Sequence, residues 1–186
     1  IGLRDWAPEN CVGQFRMHAG VPDIGLPDMT FEDARKAGAR SLLIGLATDG
    51  GRLPESWQQH LRDAVEAGFS IVSGMHQSLS AVPGLAALAE QNGCRLIDIR
   101  HWQPAHSVGT GRKRSGKRLL TVGTDCAIGK KYTALAIDRA LKARGQASTF
   151  RATGQTGIML AASGVPIDSV ISDFVSGAAE ALSPDN

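Results

Sequence analysis

Residues 119–144 read LLTVGTDCAIGKKYTALAIDRALKAR: a short apolar run, a turn closing on Gly129 and Lys130, then a long amphipathic segment. That is the order strand, phosphate loop, helix. Unpaired backbone N–H groups at a helix N-terminus, joined by a lysine, surround phosphate oxygens in the positive end of the helix dipole. The usual spacing is G-x-x-x-x-G-K-[ST]. Here its positions are Thr124, Asp125, Cys126, Ala127, Ile128, Gly129, Lys130 and Lys131. Thr124 stands where the first glycine belongs, with Gly123 beside it. Lys131 stands where a hydroxyl would hold the magnesium that bridges the outer phosphates in nucleoside-triphosphate hydrolysis. An ammonium has donors only, so Lys131 does not replace that hydroxyl. Neither Thr124 nor Thr133 occupies the right step of the helix to do so. The loop is suited to hold a diphosphate rather than to split one.

Other chemistry-bearing residues are weighed against plainer roles. Ligands of open α/β sheets bind beyond the carboxyl ends of the strands, where three segments would gather: 124–130, 154–157 and 173–177. In the second, Gly154, Gln155 and Thr156 form a glycine-rich turn that is either a ligand loop or an ordinary tight connection. Asp173, expected at a strand end, would orient a metal, a water or an amine. Asp125 would accept bonds from its own loop. Cys126 sits where a helix N-terminus and Lys130 lower a thiol pKa; the plainer reading is a small residue that fits. His76, with Gln77 beside it, follows an expected strand at the same sheet edge and is either a catalyst or a local hydrogen-bond partner. Arg112, Lys113, Arg114, Lys117 and Arg118 are a solvated linker or partners for an anion, as is Arg151.

The elements that must carry these residues follow from a recurring joint. Thr30 with Glu32 and Asp33 reads as a helix N-cap and acidic first turn, closed by Gly38 and followed by the apolar run 41–47. Pro54 opens a helix with Trp57, Leu61, Ala64 and Val65 inward, closed by Gly68 before a strand at 69–72. Pro83 opens another, with Leu85, Leu88 and Ala89, closed by Gly93 before a strand at 95–99. A helix at 134–144 is closed by Gly145 before a strand at 147–151. A glycine in the left-handed C′ conformation followed shortly by a β-rich run is the mark of α/β folding with mostly parallel strands. A further strand is expected at 169–174 and a short helix at 175–182. Residues 1–29 are irregular, with at most one short strand at 11–15, and the break at 102–117 divides the chain into domains 1–108 and 109–186.

Composition bounds the reading. The chain has 186 residues, 42% hydrophobic and 20% charged, with a net charge of +2. That charge does not imply binding to nucleic acid or membrane, and no run is long enough to span a bilayer. Three widely spaced cysteines without a C-x-x-C pair suggest a reducing, cytoplasmic setting and no structural zinc. The expected partner is a small-molecule substrate, with homo-oligomerisation left open. A start at Ile1 and a stop just after an apolar helix read as a piece of a longer protein.

The stretches GTGRKRSGKRLLTVGTDCAIGKKYTAL at 109–135, FRATGQTGI at 150–158 and SDFVSGAAEALSP at 172–184 resemble the DgcN-type D-glutamate N-acetyltransferase family, formerly a bacterial domain of unknown function. DWAPENCVGQFR at 5–16, GLPDMTFEDARKAGARSLLIG at 25–45 and SGMHQSL at 73–79 resemble its N-terminal domain. The loop opening at 123–125 is also similar to dethiobiotin synthetase, whose lysine is followed by threonine. The resemblance implies a Rossmann-like N-terminal domain and a P-loop-like α/β domain, incomplete at its C-terminus. It implies acetyl-CoA as donor and D-glutamate as acceptor. On that reading the loop at 123–131 is expected to grip the coenzyme diphosphate, and the residues themselves offer His76 or Asp173 as the base the amine needs. Two other readings stand beside it: an ATP- and magnesium-using hydrolase, kinase or ligase, and a non-catalytic nucleotide-binding regulator.

Overall fold

The computed structural model describes residues 1–101 and 106–185, in two compact units, Ile1–Trp102 and Gln103–Asn186. The first four residues of the expected break, 102–105, lie outside the described residues.

The first unit is a three-stranded parallel sheet clad by helices. After α1 (Gly2–Trp6), α2 (Phe31–Lys36) begins where expected: the Thr30 hydroxyl accepts the Asp33 N–H at 3.1 Å. It leads into β1 (Ser41–Leu43). A short 3-10 turn, Glu55–Trp57, then runs into α3 (Gln58–Glu66), whose buried face is Leu61, Ala64 and Val65, and the chain continues to β2 (Ser70–Ser73). The pattern repeats through α4 (Leu85–Gln91) and β3 (Leu96–Asp98). The spatial order is β1-β2-β3, with Ser41 opposite Ser70 and Ile71 opposite Leu96.

Parallel strands require such crossovers, and their apolar inward faces make one core. Ile71, Leu79, Leu85, Val65 and Val82 are fully buried in it, and Phe31, Leu42, Trp57 and Leu96 pack around them. The glycines expected to close helices do so with positive φ: +95° at Gly38, +83° at Gly68 and +63° at Gly93. The apolar run 41–47 forms a strand only over 41–43, with the Ile44 N–H still bonded to the Val72 carbonyl at 3.0 Å, and 11–15 contributes a single bridge, Gln14 to Asp28.

The second unit departs further from expectation. Its long helix α5 (Lys130–Ala143) starts four residues earlier than expected, directly on the loop. The expected strands at 119–122, 147–151 and 169–174 are not strands. A strand exists only where a neighbour completes its hydrogen bonds, and the described residues of this unit contain one isolated bridge, Ala152 to Gly164. Leu119, Leu120 and Val122 stand 68%, 77% and 79% exposed. Residues 154–157 form no free turn: Gly154 is the N-cap of α6 (Gln155–Ala161). The 169–174 segment is replaced by 3-10 turns, Ile167–Ser169 and Ser172–Phe174, leading into α7 (Val175–Ala181).

Candidate functional site

The loop at 123–130 is exposed up to Gly129 and turns on two left-handed residues, Ala127 at φ +56° and Gly129 at φ +97°. The Asp125 carboxylate accepts the Cys126 N–H at 2.6 Å, so the aspartate shapes its own turn. Lys130 folds back, its Nζ donating to the Asp125 carbonyl, and Thr121 Oγ1 donates to the Lys130 carbonyl at 3.0 Å. The first helical bond runs from Thr133 N–H to the Gly129 carbonyl, 2.9 Å. The N–H groups of Lys130 and Lys131 therefore have no acceptor within the helix. A Cβ on Gly123 would lie 2.3 Å from Ile128 Cδ1, so the exposed Ile128 side chain folds over Gly123.

Lys131 is half-buried, and burial pulls its pKa below the usual lysine range. Its ammonium lies 5.3 Å from the centre of the Tyr132 ring. Cys126 is an exposed free thiol. The loop thus gathers a lysine, helix N–H groups and a second, partly desolvated cation: donors for an anion and no ligand set for a metal. No group of histidine, cysteine and carboxylate residues fit for a metal ion exists among the described residues. A coenzyme diphosphate fits this donor set.

The basic run mostly lashes its own loop down. Glu180 on α7 accepts from the Gly111 N–H at Oε1, while its Oε2 accepts from Thr110 Oγ1 at 3.1 Å and meets Arg114 at 3.2 Å. Those bonds from Thr110 and Gly111, with the Arg114 charge, hold the Glu180 carboxyl below the usual range. Arg118 binds the Pro184 carbonyl at 2.8 Å. Lys113, Lys117 and Arg151 are exposed and have no partner among the described residues. Asp173 lies on the exposed 3-10 turn before α7 rather than at a strand end, also without a partner. Gln155 and Thr156 occupy the first turn of α6.

In the first unit His76 stands exposed just past the carboxyl end of β2. Its backbone is pinned from both sides. His101 Nε2 bonds the His76 carbonyl at 2.8 Å, and the next residue's N–H donates to the Gly51 carbonyl at 3.0 Å. The Gln77 side chain accepts the Leu53 N–H at 2.8 Å. Arg100, 8% exposed, donates from Nε to the Gly74 carbonyl, and Asp98 accepts from Ser78 Oγ and the Leu79 N–H. The sequence reading singled out His76 and Gln77 but not Gly51, Asp98, Arg100 or His101. Their one signal is position: Asp98 ends β3, Arg100 and His101 follow it, and Gly51 lies in the connection that leaves β1.

A Rossmann-like parallel sheet followed by a P-loop-like turn on a long helix defines a two-unit α/β type of protein. The chain belongs to the DUF1611 family: residues 10–102 match its "domain of unknown function" Rossmann-like domain and residues 106–186 its P-loop domain. It is 50% identical over its full 186 residues to a D-glutamate N-acetyltransferase of Tritonibacter scottomollicae and covers 56% of that protein. It is 46% identical over 183 residues to a protein of the same name from a Pseudoalteromonas species, covering 55% of it. A crystal structure of a DUF1611 family protein from Anabaena variabilis superposes with a TM-score of 0.77 at 40% identity, over 93% of this chain and 51% of that one. The chain thus spans about half the length of these relatives. No described helix is long and apolar enough to cross a membrane.

Proposed function

We propose that the full-length protein transfers acetyl from acetyl-CoA to the amino group of a D-amino acid, D-glutamate above all, in the cytoplasm. The observation that carries this is the loop at 123–131: an anion cradle with Lys131 in place of the metal-holding hydroxyl. The names of the two bacterial relatives support the acetyl transfer and its acceptor. The cofactor supplies a thioester whose carbonyl carbon is open to attack. Lys130 and the first N–H groups of α5 would hold the diphosphate. As the new N–C bond forms and the C–S bond breaks, the amine gives up a proton to a base and the sulfur leaves as thiol. The candidates for that base are His76 and Asp173. Most of the acceleration would come from positioning and from donors to the oxyanion.

An amine panel assayed for thiol release from acetyl-CoA with the full-length protein tests the reading. Turnover with D-glutamate is expected. Tight binding of ATP-magnesium with no binding of acetyl-CoA would overturn it. Cys126→Ser is expected to leave turnover unchanged, since direct transfer needs no acyl-cysteine; its loss would move the route onto that thiol.

A further inference from the structure

The turn that leaves the sheet after β1 carries two charges that the fold does not use. Asp49–Gly51 is a 3-10 turn with both glycines at positive φ, +66° and +62°. The Gly51 N–H bonds the Thr48 carbonyl at 2.9 Å, and the Thr48 hydroxyl bonds the Arg52 carbonyl, closing the turn on itself. This turn is laid directly on the histidine loop. A Cβ at Gly51 would lie 2.6 Å from His76 Cδ2 and 2.8 Å from the His76 backbone N, so no side chain can stand between them.

Asp49 and Arg52 flank that contact. Both are exposed, and neither has a partner among the described residues, not even the other. This sets Arg52 apart. Other arginines of the unit are engaged: Arg16 with Asp28, Arg35 with the Gly68 carbonyl, Arg62 with the Pro83 carbonyl and Arg100 with the Gly74 carbonyl. Arg95 is also unpaired, but it precedes β3 and so lies at the opposite end of the strands.

We infer that the 49–52 turn is the recognition site for the acceptor amino acid, taken as a dicarboxylic zwitterion. Arg52 pairs with a carboxylate, and Asp49 receives the ammonium, on the turn that touches the His76 imidazole. Guanidinium-carboxylate pairs give geometric selection as well as charge, and ligands of parallel sheets bind at this edge. The inference rests on the acetyltransferase reading for its acceptor, but binding can be measured without turnover.

Calorimetry of the full-length protein with D-glutamate, D-aspartate, L-glutamate and D-alanine provides that measurement, paired with acetyl-transfer kinetics. Arg52→Ala is expected to weaken D-glutamate binding and raise its KM about tenfold or more, leaving the KM for acetyl-CoA unchanged. Arg52→Lys is expected to recover part of the loss, and Asp49→Asn to weaken binding of the zwitterion. Unchanged acceptor affinity in Arg52→Ala, or no dicarboxylic amino acid bound by the wild type, would overturn the site. Arginine-dependent binding with no acetyl transfer would keep the site and overturn the acetyltransferase reading. Circular dichroism confirms that each variant folds, as expected for exposed positions.

Discussion

At the scale of single residues, Gly51 and Lys131 each make a measurable contribution to stability. Gly51 has no room for a methyl group and holds a left-handed backbone. Gly51→Ala should therefore destabilise the first unit by about 1–3 kcal/mol, visible as a lower urea midpoint; an unchanged midpoint would mean that the turn is not seated on His76. Lys131 works in the opposite direction. Its folded pKa is depressed by burial, so the charged lysine carries a penalty in the folded state. The penalty is complete below the folded value, fades between the folded and unfolded values, and vanishes above the latter. Lys131→Met should therefore be more stable than the wild type at neutral pH, by only tenths of a kcal/mol because the side chain is half in water. The gap should close as pH rises through the depressed lysine range, and denaturant titrations at several pH values measure it.

At the scale of elements, caps and joints hold the pieces in place. Thr30→Ala removes the one side-chain bond to the α2 N-terminus and should cost about 1 kcal/mol. Glu180→Gln should leave α7 intact but loosen the loop at 109–114, read as faster amide exchange there, because one carboxylate gathers Thr110, Gly111 and Arg114. These examples separate what was legible in the sequence from what was not. Helices of the first unit were legible because each carries its own signals: Thr30 as cap, Leu61, Ala64 and Val65 at helical spacing, glycine at the close. The strands β2 and β3 were legible because apolar runs followed those glycines and found neighbours. Residues 119–122 carry the same local signal, yet pairing is a property of another segment. No residue in the run encodes whether a partner is there. The loop at 123–130 was readable as a motif. The turn at 49–52 was not, since its distinction is that two ordinary charged residues remain unpaired in three dimensions.

At the scale of the molecule, hydrogen bonding is uneven. The central strand β2 is paired on both sides and packs Ile71 at zero exposure. Its amides should be the slowest to exchange, and Ile71→Ala should cost about 2–5 kcal/mol; fast exchange in β2 would contradict the core described for the first unit. Residues 119–122 should exchange within the dead time of the same experiment. That bare apolar ribbon also bears on how the polypeptide behaves in a test tube. Unpaired, exposed β-prone segments act as templates for other chains, and Lys117 and Arg118, immediately before Leu119, are gatekeeper charges of the kind that restrain such stacking. Removing these two cations should raise the concentration-dependent self-association of these residues, and light scattering across a salt series would follow the change.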